Sequence, residues 1–369
     1  MLAQHCSREE FFYTLAGFPK KDLHIVVGYQ NFLRKNRIWF LPAIGAIPKY
    51  LYSQDTLSVR KMLRVIQRGE SLLLYPEGIQ STSGRTQPIN PATIKLLKKC
   101  GLPVVLCSSQ GAYLTRPRYS SVIRRGQINY QYQLLFTPQE LAKLSENQIY
   151  DKLLNNFRYN DFDFNQKFHI AYRGKVPNIT GLNNIIFRCP VCGQDFGFQI
   201  EHDTMTCAHC GLAVTMDAYY QLHANKASFK FTNIDQWYQW QRQIVYHSVN
   251  QNDFTYTLPV QIGDINLRTL AARPDIIGTG TLTLTHECLI YQGTYRNQNT
   301  TLTFDLHLIP SLPFDPILHN VDMIYNNQYY CFIPTANPLA CVQLTLMVEE
   351  LHNRIDPAWR KVCEDVYDY

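Results

Sequence analysis

A polar segment directly after an apolar run places a carboxylate where α/β proteins bind ligands. Residues 75–81 read Tyr-Pro-Glu-Gly-Ile-Gln-Ser and follow three leucines at 72–74. Such a run, ended by Pro76 and Gly78, predicts a buried strand that leaves its sheet into a loop. Glu77 would then lie just past the carboxyl end of the strand, where open α/β sheets bind ligands. Ordinary turns also carry these residue types, so this segment alone leaves a solvated Glu open as the alternative.

Three further blocks accompany this segment in a fixed order. His5 precedes Glu10 by five positions, residues 45–49 read Gly-Ala-Ile-Pro-Lys, and residues 101–105 read Gly-Leu-Pro-Val-Val. Over about residues 1–155, the four blocks resemble the glycerolipid acyltransferase family that includes the 1-acylglycerol-3-phosphate acyltransferases. The signatures of that family are His-x4-Asp, Gly-x-Ile-Pro/Phe, Phe-Pro-Glu-Gly-Thr-Arg and an apolar run with a Pro. Each block alone is common, and the ordered set carries the resemblance.

The resemblance implies a general base and a partner that orients it. In the family, the His takes the proton of a glycerol hydroxyl that attacks an acyl thioester or acyl phosphate. Carried over, His5 is this base, and Glu10 holds the other ring nitrogen and fixes the tautomer. The implied donor is acyl-CoA, an acyl carrier protein or an acyl phosphate, and the implied acceptor is a lysophospholipid in phospholipid biosynthesis. Glu10 replaces the family's Asp, and its extra methylene predicts an offset of the pair; about 1 Å of misplacement costs about 100-fold in rate.

The third block implies an acceptor pocket shaped by Glu77 and the backbone of Gly78. Gln80 stands where the family has the Arg that grips the acceptor phosphate, and Gln cannot make the bidentate bonds of an Arg. Arg85 or Lys49 is expected to substitute for it. These departures leave an alternative open, in which the chain is a lipid- or protein-binding module built on a catalytically decayed acyltransferase domain.

The start of the chain and its charge bear on the membrane. Only four residues precede His5, whereas the family has a first strand and a membrane-associated helical segment there, so we expect an upstream start or a truncated copy. No window approaches 18 consecutive apolar residues, and no secretory signal is visible. Residues 19–68 carry ten Lys and Arg against two Asp, a net of +8 beside +6 for the whole chain. A basic surface attracts anionic lipid headgroups and also nucleic acid. The alternative is that these charges are scattered over solvated faces and bind no partner. We expect a cytoplasmic protein, peripheral on the inner face of the cell membrane.

Two Cys-x2-Cys pairs form the most specific local pattern in the chain. Fourteen residues separate the pairs, and a glycine follows each of them, at Gly193 and Gly211. Four thiolates in two knuckles suit a structural, tetrahedral Zn²⁺, and the glycines permit the tight turns. The sequence therefore predicts a zinc ribbon with these ligands: Cys189, Cys192, Cys207 and Cys210. Eleven cysteines with this spacing indicate a reducing compartment rather than a disulfide framework. Acidic residues offset Arg188, which disfavours a nucleic-acid partner and favours a structural or protein-contacting role.

Apolar periodicity divides the chain into an α/β domain, a zinc ribbon and a mainly β C-terminal domain with a closing helix. Strands are predicted at 23–28, 71–75, 103–107 and 126–137, and helices at 31–40, from 55, at 91–101 and at 138–157. Their alternation predicts an α/β domain over 1–157 with a largely parallel sheet. Next come a linker at 158–186 that is packed on its neighbours, the ribbon at 187–225 and a helical connector at 226–252. The Trp237–Trp240 stripe of that connector fits a core better than a lipid interface. Residues 253–358 predict antiparallel strands, with a hairpin turn at 326–327 and a closing helix, and resemble the pleckstrin-homology-like architecture.

Overall fold

The protein combines a mixed α/β part with a large antiparallel sheet in its C-terminal part. The computed structural model describes residues 1–17, 23–33, 37–50, 55–264, 274–326 and 328–367. Within these residues, no helix combines the length and the apolar character that crossing a membrane requires.

The strands of the α/β part form a mostly parallel arrangement. They are β1 (Leu2–Ala3), β2 (Leu23–Gly28), β3 (Ile47–Lys49), β4 (Ser71–Leu73), β5 (Val104–Gln110) and β6 (Asn129–Phe136). β2 pairs in parallel with β3 and β4, β1 pairs in parallel with β5, and a parallel bridge from Leu2 to Leu74 joins the two groups. β6 runs antiparallel to β5 at the edge. The predicted largely parallel sheet is confirmed, and β1 supplies a short strand before His5.

Helices connect these strands, and local caps fix where two of them begin. The helices are α1 (Glu10–Gly17), α2 (Phe40–Ala43), α3 (Thr56–Gln67), α4 (Pro91–Cys100), α5 (Ala112–Thr115), α6 (Pro138–Lys143) and α7 (Glu146–Phe157). The Asp55 side chain accepts the backbone N–H of Ser58 at the start of α3. Asn90 caps α4, and Gly101 ends it in the left-handed conformation. Both helices were predicted, the start of α3 from Asp55 and the end of α4 from Gly101.

Two predicted helices are wrong in extent. In place of a helix at 31–40, the structure has a 3₁₀ helix at Tyr29–Leu33 and the short α2, and residues 34–36 lie outside the described part of the chain. Pro42 lies inside α2, where the first turn tolerates a missing N–H. The helix predicted at 138–157 is split into α6 and α7, because Ser145 and Gln148 form a capping box that starts a new helix.

The segment 158–186, predicted as a linker packed on its neighbours, contributes buried side chains to the core. It contains α8 (Asp161–Phe168) and a 3₁₀ turn at Leu182–Asn184, and Ile179, Ile185 and Ile186 are fully buried. The ribbon region follows as a four-stranded antiparallel sheet of β7 (Phe198–Glu201), β8 (Thr204–Cys207), β9 (Ala213–Met216) and β10 (Leu222–Ala224), in the order β10-β9-β8-β7.

The C-terminal part begins after a helix whose aromatic stripe is buried. Trp237 of α9 (Ile234–Val249) is fully buried against the rings of Phe198, Phe229 and Phe231, which confirms the core interpretation. A seven-stranded antiparallel sheet follows in the order β14-β13-β12-β11-β17-β16-β15. Its strands are β11 (Tyr256–Asp264), β12 (Asp275–Leu284), β13 (Cys288–Tyr295), β14 (Gln298–Asp305), β15 (Phe314–Asp315), β16 (Asn320–Tyr325) and β17 (Gln328–Pro334). The hairpin of β16 and β17 agrees with the predicted turn, although position 327 lies outside the described residues.

The closing helix packs the C-terminal part onto the rest of the molecule. It is α10 (Ala340–Ile355), and α11 (Pro357–Glu364) follows it. One cluster of buried side chains runs from Cys6 and Tyr113 of the α/β part, through Cys189 of the ribbon, to Leu351 of α10. Because the parts share this core, the C-terminal sheet stands directly beside the segment that carries His5.

Candidate functional site

His5 and Glu10 are held together at the junction of β1 and α1. Nδ1 of His5 lies against Oε1 of Glu10 in an ion-pair contact. Oε2 of Glu10 accepts the backbone N–H groups of Cys6 at 2.5 Å and Ser7 at 2.8 Å, and the Glu10 residue is 3% exposed. The offset expected from the longer Glu side chain is absent. Since Nδ1 faces the carboxylate, Nε2 is the ring nitrogen left to accept a proton.

The surroundings of His5 make it a stronger base. Desolvation by burial alone would lower the pKa of His5, but the charge and hydrogen bonding of Glu10, with the charge of Glu77, outweigh it. The pKa of His5 is therefore raised above its ordinary 6.5. A base with a raised pKa holds an abstracted proton more strongly.

Glu77 fixes the His5 backbone from the opposite side. Its Oε2 accepts the N–H of His5 at 2.6 Å, and its Oε1 accepts the N–H of Gln87 at 2.7 Å. Burial raises the pKa of Glu77 to about 7, although the two backbone donors oppose that rise. Gly78 adopts a left-handed φ of 74°, and its N–H donates to the carbonyl of Tyr75, so the chain turns sharply here. Glu77 thus connects the first and third sequence blocks.

Gln80 and the two cations expected to substitute for it at an acceptor phosphate, Lys49 and Arg85, take different positions. Nε2 of Gln80 donates to the carbonyl of Cys6 at 3.3 Å, and Nζ of Lys49 donates to the carbonyl of Tyr50 at 3.0 Å. Burial lowers the pKa of Lys49. Both side chains line the same cleft as His5. Arg85 is held elsewhere, because its guanidinium forms an ion pair with Asp235 at 2.8 Å.

A large cleft opens at the His5–Glu10 pair. Its volume is about 1840 Å³, well above the few hundred to about 1,000 Å³ typical of drug-sized ligand pockets. The walls come from the sequence blocks on one side and from the C-terminal part on the other, including Pro313, Phe314 and Trp359. A cleft of this size and mixed lining has room for a long apolar chain together with a polar headgroup.

Sequence reasoning missed two cations that line this cleft, Arg8 and Arg118. Arg118 is 8% exposed, and its guanidinium donates to the carbonyl of Gln80 at 2.9 Å and to that of Phe314 at 2.6 Å. In the sequence, Arg8 could have been recognised only from its position, three residues after His5. Arg118 belongs to none of the four blocks, and the contact with Phe314 spans 196 positions of sequence.

The four predicted metal ligands are together in the ribbon. One ligand atom from each of the four cysteines lies within 4.8 Å of all the others. The Sγ–Sγ distances are 3.7 Å for Cys189–Cys210 and 3.8 Å for Cys192–Cys207. Tetrahedral Zn²⁺ with Zn–S bonds of about 2.3 Å requires Sγ–Sγ distances of about 3.8 Å. The cluster therefore has the shape of a four-thiolate site that could hold a metal ion.

Comparisons with known proteins add little to this geometry. No family model and no curated protein matches the chain. Among solved structures, a match is found to the 1-acyl-sn-glycerophosphate acyltransferase PlsC from Thermotoga maritima, with 17% sequence identity and a TM-score of 0.36. The match covers 42% of this chain and spans about three fifths (61%) of that protein. At this distance the functional conclusion has to rest on the residues of the site.

Proposed function

We propose that this protein transfers an acyl group from a thioester or acyl phosphate to the hydroxyl of a lysophospholipid. The observation that carries the proposal is the His5–Glu10 pair, fixed from both sides at the wall of a cleft of about 1840 Å³. A base that is oriented by a buried carboxylate and faces a large cleft is suited to activating a hydroxyl.

The chemistry follows from the orientation of His5. Nε2 takes the proton of the acceptor hydroxyl as its oxygen attacks the acyl carbonyl carbon, and Glu10 stabilises the imidazolium that forms. The bond from the carbonyl carbon to sulfur, or to the phosphate oxygen, then breaks as the new ester bond is completed. His5 returns its proton to the leaving group, so no protein nucleophile is needed.

We propose acyl-CoA, an acyl carrier protein or an acyl phosphate as the donor, and an anionic membrane surface as the source of the acceptor. Arg37 and Arg60 of the basic segment line the cleft, and Trp39, two residues after Arg37, is 71% exposed. Arginines next to an exposed indole favour peripheral attachment to anionic lipid. Such attachment fits a cytoplasmic protein on the inner face of the membrane. Arg34 and Lys35, which belong to the same basic segment, lie outside the described residues.

We further propose that the cysteine cluster holds a structural Zn²⁺. The four thiolates complete a tetrahedral shell, which leaves no open position for substrate. Cys189 is buried in the core that the ribbon shares with α10. The metal would therefore stabilise the packing of the ribbon rather than take part in acyl transfer.

The second candidate function is a lipid-binding module without turnover. It is favoured by Arg85, whose guanidinium is committed to Asp235, and by Gln80, whose amide is bonded to the backbone of Cys6. Incubation of the purified protein with radiolabelled acyl donors and a panel of lysophospholipids separates the two functions. Labelled diacyl product supports the enzyme, whereas saturable lysophospholipid binding without product supports the module.

A further inference from the structure

A buried arginine at the cleft has only neutral partners. Nη1 of Arg118 donates to the carbonyl of Gln80 at 2.9 Å and to Oγ1 of Thr82 at 3.1 Å, and Nη2 donates to the carbonyl of Phe314 at 2.6 Å. The guanidinium also lies over the Phe314 ring, 4.3 Å from its centroid. These contacts satisfy N–H groups, and no carboxylate of the described residues forms an ion pair with Arg118.

Two acidic groups whose charges act on this arginine are bonded to other partners. Glu349 forms an ion pair with Arg242 and accepts the hydroxyl of Ser311. The Asp315 carboxylate accepts the backbone N–H of Ile317 at 2.9 Å, among its other contacts. Both acidic groups act on Arg118 only through space. A buried charge is expensive unless it is paired, so a paired state in the functional complex is expected.

A second cation faces the same cleft. Arg8 lies three residues after His5, and it has no ion pair and no hydrogen bond within the described part of the chain. Its neighbour Glu9, by contrast, is paired with Arg116. Burial is the main cause that lowers the pKa of Arg118, and the charge of Arg8 acts in the same direction. Both side chains line the cleft, and Gln80, which accepts from Arg118, donates to the carbonyl of Cys6, two residues before Arg8.

We propose that Arg8 and Arg118 form an anion subsite that takes a phosphate group of a substrate held at His5. Guanidinium groups match phosphate oxygens in shape and charge. Arg118 is bonded to the carbonyl of Gln80, and the Gln80 side chain is bonded to the backbone of Cys6, directly after His5. The subsite is therefore connected to the general base through two hydrogen bonds. The assignment of a substrate phosphate rests on the proposed function, but phosphate binding can be measured without turnover.

The phosphate has two possible sources, and two probes distinguish them. Glycerol 3-phosphate represents an acceptor phosphate, and adenosine 3′,5′-bisphosphate represents the phosphates of a CoA donor. Each is titrated into the purified full-length protein by calorimetry at low salt. We expect the wild type to bind one of them, and the one that binds identifies the source. Arg8→Gln should weaken that binding by about tenfold or more, since hydrogen bonds to charged groups are among the strongest.

Arg118→Lys provides a second variant that keeps the charge and loses the fork geometry, and it should also weaken binding. Arg125→Gln is the matched control, because Arg125 is exposed and does not line the cleft, so its binding should equal that of the wild type. Wild-type protein that binds neither probe, or Arg8→Gln and Arg118→Lys proteins that bind as the wild type does, would overturn the subsite. Probe binding without acyl transfer from any donor would refute the proposed function and leave the subsite standing. Acyl transfer that Arg8→Gln leaves unchanged would refute the subsite alone.

Discussion

Replacing Glu10 with Gln separates the orienting role of this carboxylate from its size. The Gln oxygen can still accept the N–H groups of Cys6 and Ser7, but both bonds lose their charge assistance. Bonds to charged groups contribute about 1.5–3 kcal/mol and neutral ones about 0.5–1.5 kcal/mol, so the two bonds together predict a loss of about 2–3 kcal/mol in unfolding free energy. The Gln amide would also face Nδ1 of His5 as a donor. Nε2 would then carry the ring proton, and the rate should fall on the order of 10³–10⁴-fold.

Initial rates of acyl transfer and urea unfolding measure these two effects. The rate of the wild type should rise with pH through the raised pKa of His5, above 6.5, because only the neutral ring accepts a proton. The Glu10→Gln protein lacks the charge that raises the pKa of His5, so its residual rate should rise with pH at a lower pH than that of the wild type. Glu70→Gln is the matched control, since it removes a carboxylate 3.0 Å from Nε2 of His24, outside the cleft. A Glu10→Gln protein that keeps more than a tenth of the wild-type rate would refute the orienting role.

Three further predictions concern stability, metal and membrane. The pKa of Glu77 is raised from 4.5 to about 7 in the folded protein. The protonated Glu77 therefore contributes about 3 kcal/mol to the free energy of unfolding below pH 4.5, and this contribution is lost as the pH rises through 7. Glu77→Gln should remove this slope from urea-unfolding curves, and an unchanged slope would contradict the shift. Elemental analysis should find about one zinc per chain in the wild type. The Cys189→Ser protein should lose this zinc, and the Cys288→Ser control should keep it. Wild-type protein that is purified without chelator and contains no metal would rule the site out. The protein should co-sediment with vesicles rich in anionic lipid, and added salt should weaken this binding. The Arg37→Glu and Trp39→Ser proteins should also bind less. Binding that neither salt nor either substitution changes would exclude membrane docking through the surface that carries Arg37 and Trp39.

Features set by neighbouring residues were predictable from the sequence. Asp55 and Gly101 mark helix ends through a side-chain hydrogen bond and a left-handed backbone, so the start of α3 and the end of α4 were predicted correctly. The same chemistry could have located the break at Ser145. There the capping box competes with apolar periodicity that continues across it, and the cap decides the structure. The paired cysteines also follow from local spacing, because each knuckle is a short turn.

Features set by distant contacts were not predictable in the same way. The sequence predicted that segment 158–186 packs on its neighbours but not which residues it contacts: Asp161 accepts the N–H groups of Gly111 and Tyr113, about fifty residues earlier. Its polar composition gives no sign of those partners. Likewise, Arg118 becomes part of the site only when the C-terminal part brings the Phe314 carbonyl to it. Residues 313–316 form a wall of the cleft, but they lie outside the four sequence blocks from which acyl transfer was predicted.

Formation of acylated product by the purified full-length protein tests the central claim most directly. The protein is incubated with radiolabelled acyl-CoA, acyl carrier protein or acyl phosphate and a panel of lysophospholipids, and labelled diacyl lipid is separated by chromatography. We expect product with at least one pair of donor and acceptor. His5→Ala keeps the backbone bonds of position 5 to Glu77 and Ser81, so it should fold as the wild type does and lose about 10²–10⁴-fold in rate. A wild type that forms no more product than His5→Ala with every pair would contradict the account.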